Sequence, residues 1–369
     1  MARIRTSHVL CAWVLIGLLF QPTARAQEEK LGDVNFPISC SASAQTRFNR
    51  AVAMLHSFFF PETMKAFTAI TRQEPSCAMA YWGVAISQRP NPLVAPFLAY
   101  EAAMARLTTN YPDDNEAAIF YALALNEAVD LSDKTYAKQF KAASILQALE
   151  AKLPNHPGIP HYIIHSYDFA AICQQGLPAA RRYADLAPTA PHALHMPSHT
   201  FSMLGMWDES IAANIKTIAA SQDYAAKNQL DGIYAAVPHS YDFMQYAYLQ
   251  LGQDDKARAL MAEAGAINKV FRPILGSETG LAAVPARYML ERQDWRGAAG
   301  LQIPAVVNAP PARAIIYFAR APTSANCRSL RRHSRRRASL TGPARSAYRF
   351  SPHKRGLHMV RETGRKQSS

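Results

Sequence analysis

His165-Ser166-Tyr167-Asp168-Phe169 recurs unchanged as His239-Ser240-Tyr241-Asp242-Phe243. Between the two copies lies Pro191-His192-Ala193-Leu194-His195-Met196-Pro197-Ser198-His199. His161 and His195 are 34 residues apart, and so are His165 and His199. That interval is the length of a repeat built from two helices and their turns. Histidines recurring at it would stand at equivalent places on successive units.

The chain on either side reads the same way. Phe48, Val52, Leu55 and Phe59 fall at helical spacing, which predicts a helix over 48–60. Further helices are predicted over 62–70, 78–87, 99–107, 115–128, 134–151, 161–174, 179–186, 194–204, 208–221, 234–251, 255–264, 282–291 and 295–301. Pro90, Pro92 and Pro96 make 88–97 a loop. Gly176, Gly205 and Gly252 fall at the turns, and Pro160 suits the first turn of its helix. No stretch alternates with period two for long enough to make a strand. The expected fold is all-α, a right-handed superhelical stack of helical hairpins.

Three stretches carry a family resemblance. Leu251-Gly252-Gln253-Asp254-Asp255-Lys256-Ala257 resembles the middle of a tetratricopeptide repeat. So does Leu204-Gly205-Met206-Trp207-Asp208-Glu209-Ser210, with Ser210 where alanine is usual. Glu74-Pro75-Ser76-Cys77-Ala78-Met79-Ala80-Tyr81-Trp82-Gly83 resembles the opening of a repeat in bacterial tetratricopeptide proteins, many of them exported. The resemblance covers roughly 45–321. It implies a solenoid scaffold that binds a peptide or protein in its concave groove, and it implies no catalytic residues.

Residues 1–26 read as a secretory signal peptide: Arg3, Arg5 and His8, an apolar run over 9–20, then Ala24-Arg25-Ala26 as the cleavage site. The mature chain would be periplasmic or secreted and would begin with a leader over 27–44. The apolar run is too short to span a bilayer, and no later run is long enough.

The net charge of +13 is unevenly placed. The tail 322–369 holds eleven Arg and two Lys against Glu362 alone, while 27–321 carries 24 basic and 26 acidic residues. A nearly neutral body has no basic face to track phosphates, so nucleic acid is not its expected partner. The tail admits three readings: a basic arm for an anionic surface, a disordered end, or a shifted reading frame beyond Ala321. Cysteines agree with export. Cys40 and Cys77 flank the first hairpin and are expected to form a disulfide, the alternative being two buried thiols; no Cys-x-x-Cys occurs.

The histidines have two readings. His161, His165 and Asp168 lie at i, i+4 and i+7, on one helical face, and His192, His195 and His199 at i, i+3 and i+7. His239 and Asp242 repeat the spacing of His165 and Asp168. On neighbouring helices, His161, His165, His195, His199 and His239, with Asp168 or Asp242, could converge on zinc, copper or nickel, and an open position could activate water. The other reading makes them packing residues between hairpins. Tyr167, Tyr241 and His192 are expected to line the groove. No known hydrolase, zinc-protease or phosphate-loop motif accompanies them.

Overall fold

The computed structural model describes residues 30–88 and 98–321. The expected signal peptide, the three-proline segment of the loop and the basic tail lie outside the described residues. From Leu31 onward the described residues belong to one compact unit.

The described chain is mainly helical. Its helices are α1 (Ala42–His56), α2 (Phe60–Gln73), α3 (Ala78–Ile86), α4 (Leu98–Asn110), α5 (Asn115–Glu127), α6 (Ala137–Glu150), α7 (Gly158–Ser166) and α8 (Leu177–Leu186). They continue with α9 (Pro191–His195), α10 (Pro197–Met203), α11 (Trp207–Lys227), α12 (Ala236–Gln250), α13 (Asp254–Gly265), α14 (Leu275–Glu291), α15 (Trp295–Gly300) and α16 (Pro310–Arg320). Most sequential helices pack against one another, and α12, α14 and α16 also pack in series. None among the described residues is long and apolar enough to cross a membrane.

Local chemistry sets several boundaries. The Ser41 hydroxyl accepts from the Ala44 amide, so α1 begins at Ala42, inside the stretch expected to be leader. Asp114 caps α5 and Asp294 caps α15 in the same way. Gly205 and Gly252 take positive φ of 71° and 66°, the left-handed turn residues expected between paired helices. Cys40 and Cys77 form a disulfide that ties the chain before α1 to the start of α3.

Two helices near the histidines differ from the sequence expectation. α7 stops at Ser166, because the Tyr167 and Asp168 amides tighten onto Ile164 and His165; a 3-10 turn over Cys173–Gly176 follows. The helix predicted over 194–204 is two pieces, since Pro197 has no N–H to give Ala193. The expectation of no strand is also corrected: Ile233–Tyr234 (β1) and Val270–Phe271 (β2) pair in parallel. A two-residue ladder is too short to leave an alternating pattern.

The largest core cluster joins α1, α2, α5, α6, α7, α8 and α9, with Phe48, Phe67, Tyr162 and Tyr183 fully buried. Tyr167, expected in the groove, belongs to this core at 3% exposure and packs on Phe140. Gly280 lets α14 approach α12: a Cβ there would lie 2.2 Å from the Pro238 carbonyl oxygen.

Candidate metal centre

α7, α9, α10 and α12 bring six histidines into two adjacent groups of three: His161, His165 and His192, then His195, His199 and His239. In each group, one ligand atom per residue lies within 4.8 Å of the others. Both groups are geometrically able to hold a metal ion. Nε2 of His161 lies 3.1 Å from Nε2 of His192 and 3.1 Å from Nε2 of His165. Nε2 of His195 lies 3.1 Å from Nε2 of His199. Three nitrogens about 2.0–2.1 Å from a tetrahedral ion would stand roughly 3.3 Å apart, close to this spacing.

Each group has an aromatic ring against it. Phe58 lies with its centroid 4.6 Å from His161, 5.3 Å from His192 and 5.9 Å from His165. Phe243 lies 4.8 Å from both His195 and His199 and 5.4 Å from His239. Tyr183 stacks on His161 at 5.0 Å. His161 and His195 are buried, and the other four are half-buried, so each group has an inner anchor and an outer side.

The second ring nitrogens fix the tautomers. His161 Nδ1 lies 2.5 Å from the His56 carbonyl oxygen, which can only accept, so Nδ1 carries the proton and Nε2 a lone pair. His195 Nδ1 lies 2.7 Å from Asn214 Oδ1. The Asn214 amide is oriented by its Nδ2, which donates to the Ser210 carbonyl at 2.8 Å, so Oδ1 accepts from His195. His199 Nδ1 lies 2.9 Å from Asp168 Oδ2. Three rings thus donate from Nδ1 to a carbonyl, an amide oxygen and a carboxylate. That is how metal-binding imidazoles are commonly oriented and made more basic. The ring of His239 differs: its Nδ1 sits beside Gly276 without a hydrogen bond of normal geometry.

Burial keeps most of these rings neutral. It holds His161, His165, His192 and His195 well below the usual imidazole range, with neighbouring histidines adding to the effect. His239 is pushed down to about 3, chiefly by burial and then by His199. For Asp168, burial works upward, but His199 overcomes it and the carboxyl ends below its ordinary value. Neutral imidazole is the form that binds a metal.

A third group, His56, Glu116 and His156, is buried on all sides. His156 Nδ1 accepts from the Gly158 amide at 3.2 Å, so its Nε2 donates to Glu116 Oε1 at 3.0 Å. His56 Nε2 donates to Glu116 Oε2 at 3.1 Å, and its Nδ1 accepts from the Tyr162 hydroxyl at 2.9 Å. Burial raises the Glu116 pKa, but the two histidine hydrogen bonds outweigh it and bring it down to about 2. With Glu116 ionised, every ring nitrogen here has a complementary partner. This network clamps α1, α5 and α7, and it carries the His56 carbonyl that orients His161.

The expected residues fall into three sets. His161, His165, His195, His199 and His239 all lie in the two groups. His192, expected to line a groove, is instead the third member of the first group. It does not converge with His195 and His199: the His192 and His195 rings, on the same helix, stand 6.4 Å apart and turn to different neighbours, His161 and His199. Asp168 stands behind His199, and Asp242 lies outside both groups, paired with Arg287 at 2.6 Å. Tyr241 is half-buried, its hydroxyl donating to Glu263 at 3.2 Å, and it lines a surface cavity of about 360 Å³. Phe58 and Asn214 had no signal in the sequence; Phe243 had one, its place in the repeated five-residue word.

The fold and site together define an all-α protein with paired histidine clusters able to hold metal. No protein-family model matches the sequence, and a search of curated proteins finds no match.

Proposed function

We propose that this protein binds transition-metal ions of the zinc, copper and nickel class at its two three-histidine groups. The observation that carries the reading is the contact between Nε2 of His195 and Nε2 of His199 at 3.1 Å. Both rings direct Nδ1 at an acceptor, Asn214 and Asp168, so their Nε2 atoms face each other with a place for one cation, a metal ion or a proton, between them. The first group has a related arrangement: the single Nε2 lone pair of His161 faces both His165 and His192. Three imidazoles leave a metal ion an open position, so activation of a bound water is within the chemistry.

The protein in this reading is exported, periplasmic or secreted after cleavage near Ala26. The Cys40–Cys77 disulfide supports that address, since such bonds persist in oxidising compartments.

A second reading is a tetratricopeptide-like superhelical scaffold that binds a peptide or protein. It is supported by the serial packing of α12, α14 and α16 and by the cavity beside Tyr234, Tyr241, Glu263 and Lys269. The two readings are compatible, because the cavity and the histidine groups share no lining residue.

Metal analysis of the purified chain, stripped with chelator and reloaded with zinc, copper or nickel, tests the first reading. Stoichiometric metal should survive desalting and should be lost in the His161→Ala/His195→Ala double variant. No retention of any of the three metals by a folded chain overturns it.

A further inference from the structure

We propose that the two histidine groups hold a pair of copper ions as one dinuclear centre, an inference that rests on the metal-binding reading above. The donor set is the first argument. Six imidazoles make up the two groups, and among the described residues no thiolate or carboxylate joins them: Asp168 contacts the rear nitrogen of His199, and Asp242 is held by Arg287. Imidazole sites accept zinc, copper, iron and nickel, and at equal geometry the affinity of divalent ions peaks at copper.

Charge is the second argument. Two divalent ions would bring four positive charges, against which Asp168 is the carboxylate in contact with the groups among the described residues, and two cuprous ions would bring only two. A buried charge without a counter-charge is strongly disfavoured. The one common metal of this class that can enter as a monocation is copper.

Coordination number is the third. Zinc in such sites completes a four-ligand shell, whereas cuprous ion is satisfied by three nitrogens. Phe58 and Phe243 stand close against the two groups, within 4.6–5.9 Å and 4.8–5.4 Å of their imidazoles. Apolar rings in these places favour an ion that needs no bound water.

The two positions are joined mechanically. His192 and His195 lie on the same five-residue helix, α9, one in each group, with ring centroids 6.4 Å apart. Asp168 leaves the helix that carries His161 and His165, yet it holds His199 of the other group. The two positions are thus held by shared elements, as expected of one centre.

The full purified chain, stripped of metal, is offered equal concentrations of copper and zinc, first with reductant and copper as Cu(I), then without it as Cu(II). After desalting, the metals are counted, and the unpaired spins of the oxidised copper form are quantified by electron paramagnetic resonance. The expected result is two coppers per chain, less than 10% of the zinc, and a spin count below half of the copper. His192→Gln should bind one copper that gives its full signal. His192→Ala, checked by circular dichroism, serves if the glutamine itself ligates. Retention of zinc in preference to copper, a single copper per chain, or two coppers with two full spins overturns the dinuclear copper centre and leaves metal binding intact. A folded chain that retains neither metal overturns both.

Discussion

Nε2 of His195 faces Nε2 of His199 at 3.1 Å, while each ring gives its Nδ1 proton to a different acceptor, Asn214 and Asp168. The acceptors behind the rings, more than the rings themselves, make this a place for a cation. Asp168→Asn removes the charge that supports His199 and leaves its position filled. Metal affinity at the second group is expected to fall about 10–100-fold, with the first group changed far less. Competition titration of the variant against a chelator of known affinity measures this. Equal loss at both groups, or no loss, would contradict the assignment.

The buried imidazoles make the metal-free protein acid-labile. Their folded pKa values are depressed, so below about 6.5 the unfolded chain takes up protons that the folded chain refuses. Stability is therefore fully present well above 6.5 and falls as pH drops, for His239 down to about 3. Each ring kept neutral contributes a slope of about 1.4 kcal/mol per pH unit. Urea melts at pH 7.5, 6.5 and 5.5 should show a small decline across the first interval and one about three times larger across the second. Bound metal should protect at neutral pH and be released on acidification, as protons compete for the nitrogens.

Glu116 makes a contrasting prediction. His156 Nε2 is held as a donor by the Gly158 amide, so an amide nitrogen in place of one Glu116 oxygen would meet a donor. Glu116→Gln is expected to cost about 1–3 kcal/mol in a denaturant melt, and Glu116→Ala more. The number of metal ions bound should not change, because the network supplies no ligand to either histidine group. The wild-type contribution of Glu116 weakens only as pH falls from the ordinary carboxylate value toward about 2.

Gly276 and Gly280 separate an effect on the site from an effect on the fold. A Cβ at Gly276 would lie 3.3 Å from Nδ1 of His239, a contact that a small ring movement relieves. Gly276→Ala should weaken metal binding at the second group while shifting stability by less than about 1 kcal/mol. At Gly280 the obstacle is the Pro238 carbonyl, 2.2 Å from the new carbon, and backbone cannot step aside. Gly280→Ala is expected to destabilise by about 3 kcal/mol or more. Thermal melts and metal titration of the two variants, run side by side, give both readings.

The Cys40–Cys77 bond closes a separation of 37 residues. On loop-closure grounds, Cys40→Ser with Cys77→Ser should lower stability by about 3–4 kcal/mol. Calorimetry of oxidised, reduced and double-serine forms checks it, and the reduced and double-serine forms should agree.

Much of the helical layout was legible. Caps such as Ser41 and Asp114, turn glycines such as Gly205 and Gly252, and apolar residues at helical spacing are local signals. They place the helices to within a few residues over most of the described chain. The errors came where a nonlocal partner or one backbone atom decided the matter. α7 ends early at Ser166, and Pro197 divides one predicted helix into two. β1 and β2 pair across 37 residues with only two residues each.

The candidate site was half legible. Spacing of four put His161 beside His165, and the 34-residue period pointed to His195 and His199 as their counterparts. The same arithmetic grouped His192 with its chain neighbours and offered Asp242 as a ligand, because identical words suggest identical roles. Arg287, on another helix, claims Asp242, whereas Asp168 is claimed by His199.

By itself, then, the sequence determined an all-α chain with histidines at repeating intervals, since periodicity, caps and turns act within a few residues of themselves. Only the tertiary structure decided which histidines meet, which nitrogen each presents, and which carboxylate stands behind them. Those outcomes depend on hydrogen bonds between groups 19 to 105 residues apart, from His195 with Asn214 to His161 with the His56 carbonyl. A directional bond over such separations is fixed by the packing of whole helices, and no local pattern encodes it.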